Sequence, residues 1–199
     1  IGNRIVYGRR LDASDVLDYE VAAGPPTPHP RGRAVVVEIV VSTGGERAWS
    51  AAMELLRREP AASTPAAAPE LASDLPEVTP IGPARWQLAS DLGRRYAAVS
   101  GDRNPIHLAD LTAKPFGFSH HIAHGMWTHA RALAELDNRL PGEYSVEVAF
   151  KKPIRLPGTA FFGARTEVDC IDFGLSSPSA DPALPETPHL LGRLRPVSS

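Results

Sequence analysis

Apolar and polar positions along the chain follow two periods. Tyr144, Val146, Val148 and Phe150 alternate with Ser145, Glu147, Ala149 and Lys151, the period-two pattern of a strand with one buried face. Ala34 to Val41 is a nearly continuous β-branched run and predicts a strand buried on both faces. Arg4 to Tyr7, Thr159 to Val168, Cys170 to Ser176 and His189 to Arg195 predict further strands. Between Glu46 and Glu59 the two periods compete. The Ala, Leu, Met and Glu content favours helix. The position after a strand and the Gly44-Gly45 turn favours the return arm of a hairpin, which is the preferred reading. The helical period is clearest at Ile122, Met126, Ala130 and Leu133, which share one face and predict a long helix from about Ala123 to Leu140. Pro141-Gly142 stops it. A short helix opens at Pro105, with Asn104 as its N-cap. One long helix followed by antiparallel strands predicts an α+β fold with the sheet around the helix.

Residues 60–83 lack periodicity and are rich in Pro, Ala, Ser and Thr, the composition of an extended linker. They divide the chain into residues 1–59 and 84–199. A weak echo links the two parts: Arg4 to Leu11 and Phe150 to Leu156 are each a strand running into a basic stretch and then Leu. The echo suggests that the first part is a second, incomplete copy of the same fold.

The composition is that of an ordinary globular protein, 43% apolar and 22% charged over 199 residues. A formal net charge of -2 gives no electrostatic drive toward nucleic acid or an acidic membrane. No apolar run approaches the ~20 residues that a membrane-spanning helix needs. With Cys170 as the single cysteine, no internal disulfide forms, and a reducing cytoplasm is the expected location. Cys170 follows the strand-like Thr166-Glu167-Val168-Asp169 and reads as a half-buried thiol, not a nucleophile.

The chemistry concentrates in Tyr96-Ala97-Ala98-Val99-Ser100-Gly101-Asp102-Arg103-Asn104-Pro105-Ile106-His107. Ser100-Gly101-Asp102 forms a tight turn and Asn104-Pro105 opens a helix, so Asp102 lies in the loop and His107 in the first helical turn. Across such a junction the two side chains can converge, although a five-residue gap on a continuous helix would separate them. A helix amino terminus disfavours positive charge and helps keep His107 neutral. A carboxylate beside a neutral imidazole can hold one water and move its protons. The same spacing equally fits a turn-capping Asp102, a purely structural Asn104 and a satisfied histidine at 107. His120, His121, His124 and His129 form a histidine-rich patch, but without an HExxH pattern no metal is expected. Lys114, Lys151, Lys152 and Arg155 are what phosphates would need, and also what a solvated strand face carries.

Tyr96 through Ala113 resembles the signature of MaoC-like (R)-specific hydratases: an aromatic residue, then Ser-Gly-Asp-x-Asn-Pro-Ile-His, then five residues and Ala. Gly117-Phe118 with Ile122-Ala123-His124-Gly125-Met126, and Val148-Ala149-Phe150-Lys151-Lys152-Pro153, resemble the family's second and third blocks. The resemblance implies a hot-dog fold, here a double hot-dog with residues 1–59 as a partial, non-catalytic copy and 84–199 as the catalytic domain. It implies reversible hydration of trans-2-enoyl thioesters of coenzyme A or acyl carrier protein to (R)-3-hydroxyacyl thioesters. Asp102 and His107 would share the water, Asn104 and Ser100 would support them, and the Gly125 backbone N–H would bind the thioester carbonyl. The reaction implies no cofactor beyond the carrier in the substrate. The two parts would associate as a pseudo-dimer within one chain, with further homo-oligomers open. Two alternatives stand beside this reading: a hot-dog thioesterase, and a non-catalytic acyl-binding or scaffold subunit. The departure from the family pattern lies in the first part, where two-repeat relatives carry a longer copy.

Overall fold

The computed structural model describes residues 1–59, 71, 75, 84–178 and 186–197. Ten strands form one antiparallel sheet: β1 (Gly2–Tyr7), β2 (Asp18–Ala23), β3 (Thr27–His29), β4 (Gly32–Thr43), β5 (Glu46–Arg58), β6 (Ala84–Leu88), β7 (Tyr144–Phe150), β8 (Gly158–Thr166), β9 (Ile171–Ser177) and β10 (Thr187–Pro196). The helices are α1 (Leu92–Ser100), α2 (Asp110–Ala113) and α3 (Gly125–Glu135). Strand order is β2-β4-β5-β1-β7-β10-β9-β8-β6, with β3 beside β4. Residues 46–58 are a strand, so hairpin position outweighs helical composition there.

The order is symmetric about the β1–β7 seam. Leaving aside the three-residue β3 and the edge strand β6, each half runs outward as its first, fourth, third and second strand. The two halves thus repeat one strand order side by side. β1 and β7 are antiparallel neighbours, with Ile5 opposite Val146 and Tyr7 opposite Tyr144, whereas the echo segments Arg4–Leu11 and Phe150–Leu156 lie mostly outside the paired residues. Tyr7 and Tyr144 stack at 4.5 Å between ring centroids.

The alternation in β7 decides which face is the core. Tyr144, Val146 and Val148 are buried and join Phe173, Leu190 and Leu194 of β9 and β10 in one apolar cluster with Ala132 and Leu136. The helix therefore meets the sheet through Thr128, His129 and Ala132. This corrects the expected apolar face. Ile122 precedes the helix in an extended segment, Met126 and Leu133 are only half-buried and Ala130 is exposed. α3 is also shorter than expected, ending at Glu135 before a 3-10 turn at Asp137–Arg139.

A second correction concerns β4. Its β-branched run is mostly half-buried, not buried on both faces. It lies in the first half, where no helix packs on the sheet among the described residues, so Val21 and Leu55 beside it stay exposed. Of the expected linker at 60–83, only Leu71 and Leu75 are described. Leu71 donates its N–H to the Glu54 carboxylate at 2.9 Å, and Leu75 is buried with Ala149 and Leu191 on the sheet face opposite α3. The same outer face carries a cross-strand ladder of alternating charge, Arg165–Asp172–Arg193–Glu147–Arg4. Within it Arg193 grips buried Asp172 with two bonds of 2.5 and 2.9 Å. None of the described helices is long and apolar enough to cross a membrane.

Gly192 faces Phe173 directly across β9 and β10, and a Cβ built there would sit 2.2 Å from the fully buried ring. Gly192→Val should therefore lower unfolding stability by roughly 1–3 kcal/mol, the usual penalty for overpacking. Urea denaturation measures it. Gly142→Ala, where nothing lies within 4 Å, serves as the neutral control.

Candidate active site

The site begins where α1 ends. Gly101 takes φ 76°, a left-handed conformation that other residues adopt at a cost, and its N–H bonds to Ala97 O. A chain of side-chain bonds then folds the loop. Ser100 Oγ donates to Tyr96 O and accepts from Asp102 N–H, Asp102 Oδ1 accepts from Asn104 N–H at 3.1 Å, and Asn104 Oδ1 accepts from Ile106 N–H at 3.3 Å. Asn104 is thus the expected N-cap, and Pro105 opens a 3-10 turn ending at His107. Ser100 and Asn104 act on the backbone and leave the Asn104 amide NH2 available.

This folding brings Asp102 and His107 together with a third residue, His124. Their ligand-type atoms all lie within 4.8 Å of one another. Asp102 is more than half exposed, whereas His107 and His124 are buried. His107 Nδ1 lies 2.8 Å from Ile122 O. A carbonyl only accepts, so Nδ1 carries the hydrogen and Nε2 keeps its lone pair. Burial pushes the His107 pKa below its usual 6.5, the Ile122 bond opposes that shift, and His124 adds to it. The expected cause, a helix amino terminus, is minor at most, since a three-residue 3-10 turn sums few dipoles. Desolvation does the work instead.

Sequence reasoning gave His124 no part in the site, although it counted it in the histidine-rich patch and in the second family block. Its ring stacks on His107 at 3.7 Å between centroids, and Tyr96 packs against its other surroundings at 4.9 Å. His124 Nε2 donates to Asp102 O at 3.1 Å. Near-parallel imidazoles direct their lone pairs side by side, not toward one point, so the trio orders a base better than it encloses an ion. The rest of the patch disperses: His121 joins the Asp110 carboxylate to Ser90 O, and His120 bonds Asp110 from outside. Asp110 is held well below the usual carboxylate range, chiefly by the His121 side chain.

Gly93 was also missed. It lies in α1, and a Cβ there would fall 1.8 Å from His107 O, so glycine is what lets α1 pack directly on the turn bearing His107. A glycine inside a helix was the available signal.

Gly125 is the first residue of α3, two residues after the expected start, with the Phe150 ring 3.1 Å from where a Cβ would be. A cavity of about 350 Å³ lies between α3 and the seam strands, lined by Met126, His129, Leu133, Ile5, Tyr7 and Tyr144 among others. The Met126–Ala130–Leu133 face predicted as core is one wall of this space. Among the described residues, three buried side chains have polar atoms without a hydrogen-bond partner: the Asn3 amide, His124 Nδ1 and His129 Nε2. Burial lowers the His129 pKa to about 4.

Of the four basic residues singled out, Lys152 and Arg155 line one cavity of about 490 Å³ beside His189, and Lys114 and Lys151 do not line it. Cys170 is half-buried between β8 and β9, and burial raises its thiol pKa.

Two outcomes follow from this geometry. Gly93→Ala should displace the His107 backbone and reduce turnover of a competent substrate at least tenfold, because small misplacement of a reacting group is costly. Steady-state kinetics with circular dichroism on the same sample checks it. Separately, His129 has a folded-state pKa below the unfolded value of 6.5. Its contribution to stability is therefore fully present above pH 6.5 and is lost as pH falls through about 4. The loss is on the order of 3 kcal/mol. Denaturation series across that range should show His129→Leu losing less stability toward acid than the parent.

Comparison with known proteins places this arrangement. Residues 73–173 match the model of the MaoC like domain. The chain is 37% identical over 163 residues to 3-hydroxyacyl-thioester dehydratase X of Mycobacterium tuberculosis, covering 79% of this chain and 56% of that protein. It is 40% identical over 65 residues to the 3-hydroxybutyryl-CoA dehydratase of Methylorubrum extorquens, covering 31% of this chain and 41% of that protein. It thus spans about half the length of the curated relatives it matches. The crystal structure of HtdX from Mycobacterium tuberculosis superposes with a TM-score of 0.81 at 32% identity, over 98% of this chain and 73% of that one. The match of the family model over half of the chain, on a sheet and helix that superpose almost throughout, establishes that this chain belongs to the MaoC-like family of hot-dog proteins.

Proposed function

We propose that the chain catalyses the reversible hydration of trans-2-enoyl thioesters to (R)-3-hydroxyacyl thioesters. The observation that carries this reading is the convergence of Asp102 with a neutral, desolvated His107 whose Nε2 is free to accept a proton. A separation of up to 4.8 Å leaves room for one water between them. In the hydration direction His107 Nε2 takes a proton from that water, and its oxygen adds to C3. Electron density moves onto the thioester oxygen, which the Gly125 N–H at the start of α3 stabilises as an enolate. The protonated imidazole then returns its proton to C2, so atoms and charge balance without a metal or any cofactor beyond the thioester carrier. Asp102 orients the water, Asn104 and Ser100 hold the Asp102 loop, and His124 keeps His107 in its ring plane.

The acyl chain enters the cavity between α3 and β1, and the carrier, coenzyme A or acyl carrier protein, lies outside with Lys152 and Arg155 available to its phosphates. Lys114 and Lys151 are secondary candidates for the same contact. Residues 84–199 are the catalytic unit and residues 1–59 a non-catalytic half, joined by 60–83. The halves act as an intrachain pseudo-dimer with one site, since residues 1–59 contain no Asp-x-Asn-x-x-His run. The dehydratase names of the two curated relatives support the reaction class. The lone cysteine supports a cytoplasmic setting.

A thioesterase on this fold would release free thiol, whereas hydration removes the enoyl absorbance and leaves the thioester intact. Assayed with enoyl-CoA substrates of several lengths, the protein should show the second behaviour. The product should be mainly the (R) alcohol by chiral analysis, and an (S) product would overturn the stereochemical assignment. Asp102→Asn and His107→Ala should each lower kcat by a factor on the order of 10² or more with folding retained. Near-normal turnover in either variant would remove that residue from the mechanism. The pH–kcat/KM profile should keep its activity to below pH 6.5, because the base titrates under the ordinary imidazole value. Gly125→Val should weaken catalysis strongly, by pressing on Phe150 and the carbonyl approach.

A further inference from the structure

His129 has no part in the chemistry proposed above, yet it occupies an expensive position. It is 1% exposed, its Nε2 has no hydrogen-bond partner, and it lines the cavity beside α3 with Ile5, Met126 and Leu133. A leucine or phenylalanine would fill the same place without an unpaired polar atom. Leaving a buried donor or acceptor unsatisfied costs about 1–3 kcal/mol. The neutral ring, favoured by burial, offers one donor and one acceptor, which suits a hydroxyl on either side and a keto oxygen on one. His129 follows Gly125 by four residues, about one helical turn, so it lies about 6 Å further along α3 than the N–H proposed to receive the thioester carbonyl.

We infer that the preferred acyl chain carries a hydrogen-bonding oxygen several carbons beyond its thioester, and that His129 is the residue that selects it. The inference rests on the acyl-thioester reading of the cavity and adds the polarity of the chain to it. A site built to hydrogen-bond a substrate hydroxyl discriminates strongly against the plain analogue, because its own buried groups are then left unpaired.

The test is a series of equal-length trans-2-enoyl-CoA substrates, one with a plain alkyl chain and the others each with a single hydroxyl at successive carbons. One member should exceed the plain chain in kcat/KM by about tenfold or more. His129→Leu should abolish that preference, bringing the favoured member level with the plain chain in the same variant, and His129→Gln, which keeps a donor and an acceptor, should retain part of it. Should His129→Leu fail to fold, the parent series and the Gln variant still decide the matter. A flat series in the parent, or a preference untouched in the variants, overturns the inference and leaves the hydratase reading standing. No turnover of any member, the plain chain included, overturns that reading, and the inference falls with it.

Discussion

The site depends on the short extended segment His121–Ala123. Ile122 N–H bonds to Ile106 O and Ile122 O receives His107 Nδ1, so one residue grips the turn bearing His107 at two points. On the other side Ala123 N–H bonds to Ile154 O, and Leu156 N–H bonds to His121 O. The segment therefore bridges the loop bearing His107 and the stretch that follows β7. It also delivers His124 and Gly125 directly afterwards. The base, the residue stacked on it and the helix amino terminus are consequently held in one frame. A backbone carbonyl fixes the His107 tautomer, which no side-chain substitution nearby can easily change.

The second constraint is the β1–β7 seam. Pairing of these strands merges the two halves into one sheet, and the face that carries Tyr144 and Val146 continues through Tyr7 and Ile5. α3 covers the second half of that face and reaches the seam, where it leaves a cavity instead of close contact. Met126 and Leu133 pack against the core and also line that cavity, while Ala132 and Leu136 lie wholly within the core. Hydrophobic periodicity registers both alike, because it reports only that a residue avoids water. Whether the apolar neighbour is protein or ligand is a property of the assembled surface.

The polar loop shows the opposite economy. Ser100, Asp102 and Asn104 each bond to backbone within two to four residues, and this local network is why the run can be read from sequence. The groups that tune it come from far away in the chain. Ile122 sets the tautomer of His107, His124 stacks on it and Gly93 admits it. Removal from water, the main cause of its lowered pKa, is a product of all three elements together.

The sequence by itself determined the strand content from Tyr144 onward, the existence of α3, the N-cap at Asn104 and the Asp102–His107 motif. Each of these rests on interactions between residues close in the chain, through alternation, capping or turn geometry, and such interactions leave a local pattern. Tertiary structure alone decided the partner of β1, the faces of β4 and α3, the selection of His124 from among four histidines, and the reason for Gly93. It also left His129 and Asn3 buried without protein partners. These outcomes depend on which distant surfaces meet and what water they exclude, and burial of that kind has no signature in the identity of the residue buried.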